Sequence, residues 1–266
     1  MDYPIKEICI SALLKARENL SSLGSEGTSE VYGERVVDIS TKGDISVAEQ
    51  IIEFLRANKF PANLYDEELG EVKITENPKG IIVLDDIDGT MNYHRGRGLL
   101  PHCTVLTFFD SLQPKFKDAF FAGVIEHNSG GLWYAVRDEG CFFNGNKIQT
   151  SGKKILDEKT FILIDHYKKV DPRLSLLYEE GWVRDFGSAA FTLAGVSSGI
   201  FDAHIHPENK AHELGAGYLL IREAGGFLAD WDGKSLDDQK YDFNAKYPIV
   251  AASTSELGII LLEKMS

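Results

Sequence analysis

The sequence predicts an α+β / α/β protein in two parts, an α+β half over residues 1–152 and an α/β half over residues 153–266. Two observations carry that division. Up to Ser151 short apolar strand patterns follow one another through turns, whereas beyond it strand and helix patterns alternate. A length of 266 residues suits two such halves or one large domain.

The elements follow in order. Ile5, Ile8, Ala12, Leu13, Ala16 and Leu20 recur at helical spacing and predict an opening amphipathic helix. A Gly/Ser/Glu-rich loop covers residues 21–33. Ser46-Val47-Ala48-Glu49 reads as a capping box, with Ile51, Ile52 and Leu55 as the buried face behind it; Asp44 then falls in the loop ahead of that helix. Ile81-Ile82-Val83-Leu84 is a continuous apolar run, the pattern of a strand buried on both faces. Residues 102–109, 119–126 and 131–137 read as strands, the last two joined by the turn His127-Asn128-Ser129-Gly130, and residues 139–151 hold one more short strand.

In the second half, residues 160–164, 182–186, 199–206, 227–231 and 248–252 read as strands. Residues 172–180, 188–197, 211–224 and 256–264 read as helices, the third closed by Gly225-Gly226 as a left-handed cap.

Composition narrows the function. Hydrophobic residues make up 43% and charged residues 26%, an ordinary globular mix, and Lys+Arg 28 against Asp+Glu 41 gives a net charge of −13. So acidic a surface repels phosphate backbones and anionic lipid, so neither nucleic acid nor membrane is expected as a partner. If the substrate is itself anionic, a cation must stand between it and the protein. Cys9, Cys103 and Cys141 are scattered and odd in number, which fits reduced thiols in a soluble cytoplasmic protein, and no apolar run approaches the ~20 residues of a membrane span.

The chemistry concentrates in Leu84-Asp85-Asp86-Ile87-Asp88-Gly89-Thr90-Met91-Asn92. Three carboxylates at the end of a buried strand repel one another unless a cation neutralises them, and hard oxygens suit Mg²⁺, Mn²⁺ or Ca²⁺. Loss of period-2 geometry at the expected turn lets Asp85 and Asp88 converge while Asp86 points elsewhere. Gly89-Thr90 leads into a helix start, whose free N–H groups suit phosphate oxygens. A solvated acidic turn or a calcium loop fits the same spacing; the apolar strand before it and the Gly-Thr after it favour a phosphoester hydrolase. Asp66-Glu67-Glu68 and Glu213 are further acidic groups that could complete such a site, though as a solvated charge run and a helix-dipole partner they also have bland readings. His204 and His206 are two apart on a strand with His212 nearby, but no carboxylate or cysteine completes a zinc pattern, and ordinary polar roles are the preferred reading.

D-D-I-D-G-T-M-N over residues 85–92 resembles the D-P-I-D-G-T-x-N motif of the inositol monophosphatase family of Mg²⁺-dependent, lithium-sensitive phosphatases. Asp66-Glu67-Glu68-Leu69 stands where that family has G-E-E-S, and Gly123-Val124-Ile125 and the stretch from Glu139 to Gly145 follow its G-V-V and K-G-x-G-A-x-x-N-G segments. Gly187-Ser188-Ala189-Ala190 resembles G-S-A-A, and the stretch from His212 to Gly217, followed by Glu223-Ala224-Gly225-Gly226, matches W-D-x-A-A-G and E-A-G-G. The matches come in family order over nearly the whole chain. The resemblance implies a layered α-β-α-β-α sandwich of the sugar phosphatase type and a homodimer. It also implies that Glu67, Asp85 and the carbonyl of Ile87 hold one Mg²⁺ and that Asp85, Asp88 and Glu213 hold a second. Thr90 and Asp44 would activate the attacking water, and Asp44 or Glu67 would assist a third ion, with Mn²⁺ as a substitute metal. Gly89 and Thr90 would bind the phosphate, and Gly187, Ser188, Ala189 and His206 would line the alcohol side. Two divalent ions about 3.5–4 Å apart would activate the water and stabilise the leaving alkoxide.

Three departures separate this chain from the pattern. Asp86 replaces the motif proline, adding a carboxylate that either tightens metal binding or faces solvent. Glu213 replaces the last ligand aspartate, and one extra methylene moves its carboxylate by about 1.5 Å. His206 stands nearest the position where many inositol-specific members carry a sugar-gripping glutamate. The expected activity is phosphomonoester hydrolysis on a small polyol or sugar phosphate, inositol monophosphate or fructose 1,6-bisphosphate. The alternatives are a 3′(2′),5′-bisphosphate nucleotidase and a catalytically weak regulatory homologue that binds metal or a phosphorylated ligand.

Overall fold

A computed structural model describes residues 4–31, 40–165 and 171–266. Helix α1 (Ile5–Leu23) buries Ile5, Cys9, Ala12, Leu13, Ala16 and Leu20, the stripe its spacing predicts. A 3₁₀ turn, Gly24–Glu26, follows, and residues 32 and 33 of the expected loop lie outside the described residues. Strands β1 (Glu30–Val31) and β2 (Ser40–Thr41) pair antiparallel ahead of helix α2 (Lys42–Ala57).

Helix α2 starts earlier than expected. Its cap is Thr41, whose hydroxyl accepts from Gly43 N at 3.2 Å while Asp44 Oδ2 accepts from Thr41 N at 2.7 Å. That reciprocal box satisfies the first free N–H groups, so the Ser46 pattern falls inside the helix and Asp44 is a first-turn residue, not a loop residue.

Strands β3 (Ala62–Asp66), β4 (Gly70–Val72) and β5 (Gly80–Asp88) precede the short helix α3 (Thr90–Gly96). Strands β6 (Cys103–Phe109), β7 (Ala119–Glu126), β8 (Leu132–Val136), β9 (Gly140–Phe143) and β10 (Asn146–Ile148) complete an eight-stranded sheet, ordered β10-β9-β8-β7-β6-β5-β3-β4. Its one parallel pair is β3 with β5, and residues 139–151 supply two strands rather than one.

The second half contains β11 (Phe161–Ile164), α4 (Leu177–Glu180), β12 (Trp182–Arg184), α5 (Ala189–Ser197), β13 (Ala203–Lys210), α6 (Ala211–Glu223), β14 (Phe227–Asp230), β15 (Lys246–Ala252) and α7 (Ser255–Lys264). Its five strands order as β12-β11-β13-β15-β14, with β11 parallel to both of its neighbours.

Three apolar layers stack these elements. Residues of α1 and α2 pack on one face of the large sheet through Leu64, Ile82, Leu84, Leu106 and Phe121. The other face meets α5 and α6, whose Leu193, Leu214 and Leu220 also meet Ile249 and Ala251 of the small sheet. The outer face of the small sheet, with Ile162, Ile205 and Val250, is covered by Leu257 and Leu261 of α7. The result is the α-β-α-β-α sandwich expected. Alternation along β13 sends Ala203 and Ile205 outward and leaves His204 and His206 on the inner face. No helix among the described residues is long and apolar enough to cross a membrane.

Candidate metal centre

Strand β5 runs through all three aspartates, so they lie on a strand rather than in a turn. Its register against β6 shifts between Asp85, paired with Val105, and Asp88, paired with Cys103. A bulge of this kind re-aims side chains, and it brings Asp85 and Asp88 together where strict alternation would separate them. Glu213, in the first turn of α6, joins them: carboxylate oxygens of Asp85, Asp88 and Glu213 lie within 4.8 Å of one another, and all three residues are buried. Among the described residues this is the one convergent group of metal-ligand side chains, and it contains no histidine.

The donor set fits a hard cation. Neither oxygen of Asp85 accepts a hydrogen bond although both are buried. Burial first, then the charges of Glu67, Asp88 and Glu213, push the Asp85 carboxyl well above the ordinary carboxylate range. Burial and then Asp88 do the same to Glu213. Burial also raises Asp88, to about 6, although the Ser188 hydroxyl and Ala190 N, at 3.0 Å, both donate to its Oδ2. Three carboxylates driven toward their neutral forms are stabilised as anions by a divalent ion.

Around this group the other expected residues take definite places. Glu67 follows the end of β3, its N–H on Leu84 O at 3.2 Å, and its Oε1 accepts from Lys210 Nζ at 2.8 Å. The Ile87 carbonyl accepts from Thr90 Oγ1 at 2.9 Å. Asp44 lies on the Glu67 and Glu68 side, its carboxyl pushed up to about 7 by burial, and its Oδ2 is taken by Thr41; no hydrogen bond joins it to Thr90 among the described residues. Gly89 has φ +84°, and a Cβ there would meet Pro101 O at 3.1 Å and Gly187 O at 3.2 Å. Asn92 Nδ2 donates to Pro101 O at 2.8 Å and to Phe186 O at 2.6 Å, holding the segment around Gly187, Ser188 and Ala189 against the start of α3. Asn209 Nδ2 donates to Glu213 Oε2, fixing the longer side chain that replaces aspartate.

Asp86 does not face solvent. It is buried on the opposite side from Asp85, beside Asp66 and Asp44, and burial first and then those two charges raise its carboxyl well above the ordinary range. His204 is fully buried and held neutral by burial, while the ring of His212 stacks on Tyr65 at 5.8 Å between centroids. His206 lies 3.9 Å from a carboxylate that sequence reasoning had not singled out, Asp165 at the end of β11. Lys210 was missed in the same way. Asp165 comes close to the site only through strand pairing in the second sheet; Lys210, the N-cap of α6 three residues ahead of Glu213, meets Glu67 only when the two sheets close on each other.

Comparison with known proteins completes the assignment. A profile of the inositol monophosphatase family matches residues 1–264. The fructose-1,6-bisphosphatase/inositol-1-monophosphatase of Archaeoglobus fulgidus is 28% identical over 253 residues, covering 94% of this chain and 89% of that protein. The structure is similar to that of the extragenic suppressor protein SuhB of Bartonella henselae, with a TM-score of 0.82, 21% identity and 98% of each chain covered. It is also similar to an IMPase/NADP phosphatase complexed with Mg²⁺ and phosphate, with a TM-score of 0.79, 21% identity and 98% of this chain and 94% of that one covered. With its sequence matched from end to end and its fold shared, the chain belongs to the inositol monophosphatase family and is a phosphoric monoester hydrolase.

Proposed function

We propose that this chain is a Mg²⁺-dependent phosphomonoesterase acting on a small polyol or sugar phosphate. The carrying observation is the buried convergence of Asp85, Asp88 and Glu213. Asp85, Asp88 and Glu213 would hold one ion, and Glu67, Asp85 and the Ile87 carbonyl another; a carbonyl has two lone pairs, so Ile87 can ligate while it accepts from Thr90. Bound Mg²⁺ supplies charge neutralisation of the phosphate and a lowered pKa for the attacking water.

The protein's own groups then orient the reaction. Gly89 and Thr90 offer backbone N–H groups to phosphate oxygens. Thr90 and Asp44 would orient the water and take its proton, and burial raises the Asp44 carboxyl to about 7 in the metal-free chain. Ser188 and Ala190 hold Asp88 in place. Residues 1–152 contribute most of the ligands, and residues 153–266 contribute Glu213 and the alcohol side, through Gly187, Ser188, Ala189 and His206. A homodimer in the cytoplasm is part of the same proposal, its assembly checked by sedimentation.

The test is phosphate release from inositol 1-phosphate, fructose 1,6-bisphosphate, 3′-phosphoadenosine 5′-phosphate and p-nitrophenyl phosphate across a Mg²⁺ titration. Wild type should turn over a sugar or polyol ester best, and Asp85→Asn should lose about 100-fold or more. Undiminished Mg²⁺-stimulated turnover in the variant would show the site assignment wrong. Metal binding without turnover of any ester would favour the regulatory alternative.

A further inference from the structure

Strand β5 carries its metal ligands across a bulge, and a bulge leaves its extra residue without a partner in the ladder. Asp85 pairs with Val105 and Asp88 with Cys103, so Asp86 and Ile87 face the single residue Thr104 of β6. Each of these two residues has its carbonyl capped by a threonine hydroxyl. Thr90 Oγ1 donates to Ile87 O at 2.9 Å from the helix start, and Thr104 Oγ1 donates to Asp86 O at 2.6 Å from the opposing strand. Thr104 and Asp86 are both buried, and a buried carbonyl outside the regular ladder needs such a partner.

The Thr104 hydroxyl is itself oriented. Threonine has one hydroxyl proton to give, and at 2.6 Å from a carbonyl that proton lies toward Asp86 O. The contact of Thr104 Oγ1 with His127 Nε2, at 2.9 Å, therefore runs the other way: the ring donates and the hydroxyl accepts. This fixes His127 as the Nε2–H tautomer with a bare Nδ1, and Nδ1 takes no hydrogen bond among the described residues. The ring stacks on His102, with centroids 5.3 Å apart and planes 16° from parallel. Its backbone is tied as well, His127 N donating to His102 O at 3.1 Å and His127 O accepting from Arg17 Nε at 3.2 Å. Burial lowers the ring to about 3, so it stays neutral and the chain of bonds keeps one direction, from His127 through Thr104 to Asp86.

We propose that Thr104 and His127 are positioning residues of the metal centre: the oriented hydroxyl pins the Asp86 carbonyl, and with it the bulge that turns Asp85 and Asp88 toward one ion. This rests on the reading of Asp85, Asp88 and Glu213 as metal ligands. Residue 86 is an aspartate, whose φ no ring restrains, so the pin comes from the neighbouring strand. Without it, β5 is freer to relax toward regular pairing, in which residues three apart point to opposite faces and Asp85 and Asp88 separate.

The test titrates Mg²⁺ alone into the protein by calorimetry, and follows turnover of the best ester of the panel above against Mg²⁺, in wild type, Thr104→Val, Thr104→Ser and His127→Phe. Valine keeps the shape of threonine without the hydroxyl, serine keeps the hydroxyl, and phenylalanine keeps a ring against His102 without the donor. Thr104→Val should weaken Mg²⁺ binding by about 10- to 100-fold and move the Mg²⁺ dependence of turnover by the same factor, with KM for the ester at saturating Mg²⁺ little changed. Thr104→Ser should bind Mg²⁺ as wild type does, and His127→Phe should shift in the direction of Thr104→Val by less. A lower melting temperature with unchanged Mg²⁺ affinity in Thr104→Val would make the hydroxyl merely structural and overturn the inference, as would an equal loss in Thr104→Ser. Unchanged Mg²⁺ affinity in His127→Phe would remove the histidine from the device, and would overturn the whole inference should Thr104→Val fail to fold. In each of these cases Mg²⁺ binding and Mg²⁺-dependent turnover by wild type would leave the metal centre standing. A wild type that neither binds Mg²⁺ nor responds to it would overturn that reading and the inference with it.

Discussion

Lys210 Nζ lies 2.8 Å from Glu67 Oε1, so an ammonium from the last residue of β13 neutralises part of the acidic site from the second sheet. Burial works against the charge of Lys210, but Glu67 and Glu213 outweigh it and raise its pKa above the ordinary lysine value. The same ammonium opposes a divalent ion at Glu67. Lys210→Met should therefore do two things at once. It should destabilise the metal-free protein by about 1.5 kcal/mol, the low end for a charged hydrogen bond, because both side chains are partly exposed. It should also tighten Mg²⁺ binding in calorimetric titration. Weaker Mg²⁺ binding in the variant would mean that Lys210 supports the metal-loaded site instead of competing with it.

Metal-free stability should depend on pH in an unusual direction. Burial raises Asp88 to about 6 and Asp44 to about 7, both from 3.8. Between pH 3.8 and about 7 the folded chain thus keeps protons that the unfolded chain has released. Their contribution to stability then falls as pH rises through that window, by at most about 1.4 kcal/mol per pH unit for each group. Asp85 and Glu213, raised by the same burial, add to the slope with the same sign. Buried His127, His204 and His206 are held neutral and give the opposite slope below about pH 6.5, so the carboxylate signature is read above it. Scanning calorimetry without metal should give a higher melting temperature at pH 6.5 than at pH 7.5, and Mg²⁺ should flatten the difference by stabilising the ionised carboxylates. A metal-free melting temperature that climbs over this range would contradict the electrostatic picture.

What the sequence made legible follows from the range of the interactions. The stripe of α1 and the strands around Ile82 and Val124 are local patterns, and the structure has them where periodicity puts them. The Asp85–Asp88 carboxylates, expected at a turn, instead continue strand β5, because its bulge against β6 is set by pairing and not by local spacing. The start of α2 was misplaced because two overlapping boxes compete, and Thr41 with Asp44 captures the free N–H groups before Ser46 can. Strand β3 went unread because Ala62-Asn63-Leu64-Tyr65-Asp66 is short and gains its definition from parallel pairing with β5. Whether Asp86 faces solvent or the interior could not follow from spacing, since the bulge that decides it depends on the register with β6. Asp165 and Lys210 acquire meaning only when the two sheets close on each other.

Ser188 is expected to tune the metal through Asp88. Its hydroxyl and Ala190 N both donate to Asp88 Oδ2, and these bonds oppose the upward push of burial on that carboxyl. Ser188→Ala removes one of them and frees the carboxylate to turn. Loss of such outer support typically costs about 10- to 100-fold in metal affinity, so the Mg²⁺ dependence of turnover should move to higher concentration while the fold persists. An unchanged Mg²⁺ profile would show that Ala190 N alone suffices to hold Asp88.

Asp86 should be dispensable for metal binding and costly for stability. Its two oxygens are buried without a donor, and Asp66 Oδ2 beside it also lacks one. Asp86→Asn keeps the shape, removes a buried charge and supplies an amide that can donate to Asp66. One new hydrogen bond is worth about 1 kcal/mol, which in a chain of this size is a melting-temperature gain of about 2–4 °C. Burial holds the Asp86 carboxyl toward its neutral form, and a protonated carboxyl can itself donate to Asp66. The gain should therefore be largest at high pH, where Asp86 must either ionise or bind its proton at a cost, and should shrink toward pH 5. Asp86 is not among the convergent carboxylates of Asp85, Asp88 and Glu213 and acts on Glu67 and Asp44 only as a nearby charge held toward its neutral form, so Mg²⁺ affinity should change little. A variant that is more stable but binds Mg²⁺ markedly less tightly would place Asp86 in the metal centre's electrostatic field after all, and the extra carboxylate would then be a way of tightening the site rather than a buried burden.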